Sequence, residues 1–252
     1  MSDDFKKLIE KDRETRTKTM WKGTMLEYLE LVRENPDLAC LSHKKIYDMV
    51  IGAGIAEYDV EKNPKFKRLF KGEAPKEYKF FSDSFFGMEK TISQIVRYFH
   101  SASLKGEESR QVLFLVGPVG SGKTSLVERI KQGMEYLPPF YAIEDDPMFG
   151  EPLHLIPRHL RKEFSKMLGI QIEGEINPVV RHRLKEEFGG KWEDYPIRTY
   201  DFSIRARRGI GLVPPVDPNN QDTSVLIGSE DISKLDLYSE GDPRVLDLTG
   251  AL

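Results

Sequence analysis

Apolar positions follow two rhythms along this chain. Met20 to Glu34 places Trp21, Met25, Tyr28, Leu29 and Val32 at three- and four-residue spacings, which predicts an amphipathic helix ended by Asn35-Pro36. A second helix is predicted from a Ser42 cap, with Ile46, Tyr47, Met49 and Val50 on its inner side and Gly52 and Gly54 closing it. This aromatic stripe reads as core packing. The helical rhythm returns where Asp83 or Ser84 opens a segment carrying Ile92, Ile95, Val96 and Phe99 on one face. The other pattern is continuous. Gln111-Val112-Leu113-Phe114-Leu115-Val116 is an apolar, β-prone run and predicts a buried strand. Residues 125–133 (SLVERIKQG) then read as a helix with Leu126, Val127 and Ile130 on one face. Pro138-Pro139 breaks the chain before a second short strand, Phe140 to Ile143. Strand, loop, helix and strand in that order open a right-handed parallel βαβ unit.

Beyond it, Arg158 to Leu168 and Val179 to Phe188 are two charged amphipathic helices. Residues 200–213 alternate enough for a strand, 214–220 form a loop, and 225–228 and 245–248 are short apolar pieces. Residues 61–79, rich in Lys, Glu, Pro and Gly, suit a linker. Its basic cluster (Lys62, Lys65, Lys67, Arg68, Lys71) is interrupted by acids and reads as a solvated loop. The expected organisation is a helical N-terminal region and linker over 1–79, then a nucleotide-type core over 80–252 carrying a helical insertion at 145–199.

The chemistry concentrates between the predicted strand and its following helix. Gly117-Pro118-Val119-Gly120-Ser121-Gly122-Lys123-Thr124 is a complete G-x-x-x-x-G-K-[ST] phosphate loop. Its glycines let backbone N–H groups turn inward around phosphate oxygens. Lys123 would reach the β- and γ-phosphates, and Thr124 would offer its hydroxyl to Mg²⁺. Residues from Gly117 through Ser125 are therefore the expected cofactor contacts, with ATP and Mg as the cofactors and the helix N-terminus facing the phosphates. The turn at Phe85-Phe86-Gly87 lies just upstream of the loop's strand. In P-loop ATPases of the AAA+ class a turn so placed lines the adenine pocket, so these three residues are candidates to contact the base. The expected fold class is α/β, an AAA+-type P-loop NTPase with a parallel-sheet core, a helical N-terminal appendage and a helical insertion.

Composition narrows the setting. The 252 residues carry a net charge of −3, with 39% hydrophobic and 31% charged residues, which fits a globular domain and argues against a dedicated nucleic-acid binder. The lone Cys40 cannot form an internal disulfide, and the charged N-terminus has no apolar signal region. The longest apolar runs are strand-sized. The expectation is a cytoplasmic protein with no membrane partner. His154 and His159 are five apart with no cysteine nearby, a poor metal-ligand spacing. Arg205, Arg207 and Arg208 cluster beside Gly209 and Gly211, where they read first as a solvated strand edge and second as a contact for phosphate, an acidic partner or a neighbouring subunit.

A P-loop NTPase also needs a strand ending in a carboxylate that helps hold Mg²⁺. Asp247 follows only Val245-Leu246, Glu230-Asp231 follows Gly228-Ser229, and Glu144-Asp145-Asp146 comes early and runs into Pro147. None qualifies. The abrupt ending at Gly250-Ala251-Leu252 is read as a truncation or an expressed fragment.

Several segments together resemble the PrkA family, often called serine protein kinases, in its N-terminal AAA+ domain. They are Trp21-Lys22-Gly23-Thr24, Lys79 to Asp83, Val116 to Thr124, Glu151-Pro152-Leu153-His154-Leu155-Ile156-Pro157, Gly209-Ile210-Gly211, Asp217-Pro218 and Asp242-Pro243-Arg244. The resemblance covers essentially the whole chain. It implies that Gly250-Ala251-Leu252 leads into the missing carboxylate strand (the Walker B strand), that the remaining ATPase parts lie past Leu252, and that the full-length protein forms a ring or other homo-oligomer acting on a protein partner. Some members carry two cysteines where this chain has Ile176 to Val180, so no zinc site is implied here. The kinase name has no support in the residues themselves: there is no H-R-D, and Asp201-Phe202-Ser203 is not D-F-G. Four functions stay open: an ATP-driven conformational machine, a serine protein kinase, the motor part of a Lon-like protease, and a nucleotide-gated module that does not hydrolyse.

Overall fold

The structure is a computed structural model describing residues 5–7, 10, 20–57, 76–213, 224–239 and 241–248. In chain order the elements are β1 (Lys22–Thr24), α1 (Met25–Glu34), α2 (Ser42–Gly52), β2 (Ile55–Glu57), β3 (Lys76–Tyr78), α3 (Lys79–Ser82), α4 (Glu89–Ser103) and α5 (Lys123–Met134). There follow β4 (Phe140–Ile143), α6 (Arg161–Leu168), α7 (Pro178–Glu186), β5 (Pro196–Tyr200), α8 (Ser224–Ile227), β6 (Ser229–Glu230) and β7 (Leu246–Asp247). The chain divides into two compact units, one of residues 40–137 and the other of 1–39 with 138–252. The basic cluster of 62–71, the loop at 214–220, Asp217-Pro218 and the terminal Gly250-Ala251-Leu252 lie outside the described residues.

In the unit of 1–39 and 138–252, β5 is the middle strand of a three-stranded sheet, with β1 on one side and β4 on the other. Both pairings are antiparallel: Gly23 faces Ile197, and Ala142 faces Arg198. The helix predicted from Met20 begins later, at Met25, because Lys22-Gly23-Thr24 is drawn into the sheet and Thr24 becomes the cap. Thr24 and Glu27 form a reciprocal capping box, in which the Thr24 N–H donates to Glu27 Oε2 at 2.7 Å and the Glu27 N–H donates to Thr24 Oγ1 at 3.3 Å. The apolar stripe of α1 is buried as its spacing predicts: Met25, Tyr28, Leu29 and Val32 join Ile143, Leu153, Leu155, Ile156, Leu168, Val180, Tyr195 and Ile197 in one core. Each such side chain contributes roughly 1.5–3 kcal/mol on burial. The Pro-Leu-His-Leu-Ile-Pro segment is thus a core segment, with Pro152, Leu153, Leu155 and Ile156 all buried.

Two expectations fail here. The parallel unit expected from the order of strands is not formed by β4, which pairs antiparallel with β5; every ladder among the described residues is antiparallel. The strand expected over 200–213 is displaced to 196–200. Beyond Tyr200 the chain turns tightly, with Ser203 and Arg208 bridging each other and Arg207 and Gly209 at positive φ, so the alternation there cannot extend a ladder. Gly209 is required at this turn, since a Cβ would fall 2.7 Å from the Phe202 ring.

In the unit of 40–137, α4 packs on α2 through Ile92, Ile95, Val96 and Phe99, with Val50, Tyr78, Phe80, Phe81, Leu126 and Ile130 completing the core. Helix α4 opens at Glu89 instead of Asp83 or Ser84, because those two residues finish the turn after α3. β2 and β3 pair antiparallel. The predicted strand over 111–116 is extended but joins no ladder among the described residues. Leu115 is half-buried and packs against the core, while Val112, Phe114 and Val116 are 82–90% exposed. A central strand needs a partner on each side, and the described residues offer this run none. Its start is held by Tyr98, whose hydroxyl donates to the Gln111 carbonyl at 2.7 Å.

Candidate nucleotide site

The octapeptide 117–124 folds as a compact loop running straight into α5. Gly120 and Gly122 take φ of +79° and +81°, a left-handed conformation that glycine adopts without cost. Gly122 is also the residue preceding the helix, so no side chain caps α5 and its first N–H groups stay available at the loop. The Lys123 ammonium folds back over the loop, donating to the carbonyls of Gly117 at 2.8 Å and Pro118 at 2.7 Å and to Ser121 Oγ at 3.2 Å. Ser121 N–H also donates to the Pro118 carbonyl, at 3.3 Å. The result is a concave loop with a cation inside it. Thr124 and Ser125, the second and third residues of α5, are exposed, as are Pro118 and Val119 at the outer rim.

A cleft of about 800 Å³ opens beside the loop. Gly120, Ser121, Gly122, Thr124 and Ser125 line it together with Phe85 and Phe86, whereas Gly117, Pro118 and Lys123 line a second cavity of about 390 Å³ beside Leu113 to Val116. Gly87 sits in the same turn at φ +75°, its N–H donating to Glu89 Oε1 at 3.1 Å. Phe85 is held in part by an edge contact with Phe81, whereas Phe86 is 83% exposed. Sequence reasoning missed Ser84, Met88, Glu128, Arg129 and Gln132, which line the rest of the cleft. The helical period carried the signal for three of them: from Ser125, steps of three, four and seven reach Glu128, Arg129 and Gln132 on one face of α5. Arg129 is pinned by an Nε–H bond to the Phe80 carbonyl at 3.1 Å and lies over the Phe80 ring, 5.0 Å from its centre.

The loop suits a polyphosphate. A Cβ on Gly120 would meet nothing within 4 Å in the protein, so that space is open for a ligand, and the donor set (a lysine ammonium, helix N-terminal amides, two hydroxyls) has the right charge and hardness for phosphate and a hard divalent cation.

The other residues with chemical potential are occupied otherwise. Asp146 is 3% exposed and its carboxylate accepts from Met148 N–H, Gly150 N–H and Asn177 Nδ2 at 3.1, 2.8 and 2.6 Å, so it shapes the turn after β4. Glu144 accepts from Lys22 Nζ at 2.7 Å. His154 lies against Gly174, and burial lowers its pKa below the ordinary histidine value. No cluster of three or more potential metal ligands occurs among the described residues. Arg205 and Arg207 are exposed on the 203–208 turn, and Arg208 Nε is buried without a hydrogen-bond partner.

The loop, the helix it enters and the cleft have the form that phosphate binding at a helix N-terminus requires. The family model for the PrkA AAA domain matches residues 23–252, and the chain belongs to that family. It is 39% identical over 99% of its length to a Bacillus subtilis protein named ATP-dependent protease PrkA, and 35% identical over 91% of its length to an Escherichia coli protein named serine/threonine kinase YeaG. The matched regions make up 38% and 36% of those relatives, so the chain spans little more than a third of them. No solved structure gives a significant match. No helix among the described residues is long and apolar enough to cross a membrane.

Proposed function

We propose that this chain is the nucleotide-binding part of a PrkA-type protein and binds ATP with Mg²⁺ in the cleft between its phosphate loop and the Phe85–Gly87 turn. The observation that carries this is the shared cavity: Phe85 and Phe86 of the turn and Gly120, Ser121, Gly122 and Thr124 of the loop, far apart in sequence, line one cleft. Backbone N–H groups of Gly120, Ser121, Gly122 and Lys123 would hold the phosphates, the Lys123 ammonium would turn from its own loop carbonyls to the β- and γ-phosphates, and the Thr124 hydroxyl would ligate Mg²⁺. The metal supplies charge neutralisation on the phosphates when bound. Residues 111–116 would be the central strand of a parallel sheet, its neighbours coming from chain outside these residues; the exposed, apolar, extended run supports that reading. Coupling of ATP to conformational change, assembly into a homo-oligomer and a cytoplasmic location belong to the same proposal. The two relatives' names describe a protease and a kinase; both are compatible with an ATP-binding domain, and neither activity is attributed to residues of this chain.

Calorimetric titration of the 252-residue chain with Mg-ATP tests the core of the reading. Saturable binding that falls about tenfold or more in Lys123→Ala supports it, since a charge-assisted contact is worth roughly 1.5–3 kcal/mol. Binding that Lys123→Ala leaves intact would place the nucleotide elsewhere.

A further inference from the structure

Resting on that reading, we infer that Gln132 selects adenine in this cleft. The phosphate end of the cavity is marked by Gly120 to Thr124. Gln132 lies eight residues along α5 from Thr124, about 12 Å further down the axis, and so lines the part of the cleft away from the phosphates. Its amide carries a donor and an acceptor in one plane. Adenine presents an N6–H₂ donor beside the N7 acceptor, which such an amide can satisfy with two bonds; guanine presents N7 and O6, both acceptors, so the amide oxygen would face O6 without a proton between them.

The other polar groups of the cleft are less able to make this choice. The Glu128 carboxylate is engaged by Lys131 at 2.6 Å. Arg129 has donors alone, and its Nε is committed to the Phe80 carbonyl. The Ser84 hydroxyl donates or accepts with equal ease and so does not discriminate. Gln132 is exposed on its helix, which leaves its amide accessible from the cavity. Phe86, with its ring in solvent, provides an apolar face in the same cleft on which a purine can stack.

The test uses calorimetric titration of the 252-residue chain with ATP, GTP and tripolyphosphate, each with Mg²⁺, for wild type, Gln132→Ala and Gln132→Arg. Both substitutions fall on an exposed helical position, and unchanged melting temperatures check the fold. Wild type is expected to prefer ATP over GTP by about tenfold or more. Gln132→Ala should lose most of that preference through ATP alone, with GTP and tripolyphosphate affinities unchanged. Gln132→Arg, offering donors alone, should shift the preference toward GTP. A wild type that binds ATP and GTP alike, or a Gln132→Ala variant that keeps the full preference, overturns this inference and leaves the ATP reading standing. A wild type that binds none of the three overturns the ATP reading itself.

Discussion

Gly120 separates the cost of a strained loop from the cost of a blocked ligand. Its φ of +79° lies in the left-handed region, where an alanine is disfavoured by roughly 1–2 kcal/mol. A Cβ added there touches nothing within 4 Å, so Gly120→Ala should lose stability through backbone strain alone. For a chain of this size that is a fall in melting temperature of about 2–8 °C. The same open space is where the proposed phosphate sits. A methyl group there stands between the ligand and the loop amides, and losing two or three charge-assisted bonds would cost roughly 3 kcal/mol or more, over a hundredfold in affinity. Gly87→Ala is the matched control, with a φ of +75° and nothing within 4 Å of the added Cβ, but in the turn beside the proposed base. Thermal melts and Mg-ATP titrations on both variants give four numbers. The expectation is similar melting-temperature losses with a far larger affinity loss for Gly120→Ala. If Gly120→Ala binds Mg-ATP within about twofold of wild type, the open space is not a phosphate cradle and the argument from loop geometry is refuted.

Two further outcomes concern the unit of 1–39 and 138–252. Asp146→Ala strips three part-buried donors of their buried acceptor and should destabilise the chain by about 1.5–3 kcal/mol while leaving Mg-ATP affinity of the folded protein unchanged; paired denaturant melts and titrations check this, and an ATP-specific loss without destabilisation would make Asp146 a nucleotide-site residue after all. His154 has a folded pKa below its unfolded value of about 6.5, so the unfolded chain takes up the proton first. Stability is therefore intact above pH 6.5 and declines as the pH falls from there toward the lowered folded value. Urea midpoints measured from pH 7.5 to 5 should fall in wild type and fall less in His154→Gln; parallel curves would exclude His154 as the source.

The phosphate loop was legible because its function is written in eight consecutive residues. The backbone angles of Gly120 and Gly122 and the hydroxyl at Thr124 follow from local chemistry; the structure starts the helix at Lys123, two residues before the reading of 125–133, and folds Lys123 onto Gly117 and Pro118. The Phe85–Gly87 turn was reached by its position relative to the loop, and Phe85 and Phe86 line the cleft beside that loop. Arg129 and Gln132 were passed over because on α5 they read as ordinary surface polar residues. Only the tertiary approach of the 84–88 turn makes that helix face a cavity wall. Segment 145–199 was read as an insertion for its prolines and charges, yet it supplies much of the core that buries α1. Its two short helices show a period, but Leu153, Leu155, Ile156, Ile172 and Tyr195, which carry much of that core, lie outside them, where no helical window registers.

The run at 111–116 exposes what periodicity can and cannot report. Its composition allows burial on both faces, which is why it reads as a central strand, but among the described residues it joins no ladder. Burial also needs something to be buried against. Here Leu115 meets the core, Leu113 is partly covered, and Val112, Phe114 and Val116 face solvent. Full burial of each of those three side chains would be worth roughly 1.5–3 kcal/mol. An ordinary edge strand turns charged or polar groups outward to discourage pairing, and this one turns out valine and phenylalanine instead. Among the described residues nothing pairs with this run, and it ends at Gly117, where the phosphate loop begins. Whatever pairs with 111–116 would fix the backbone entering that loop.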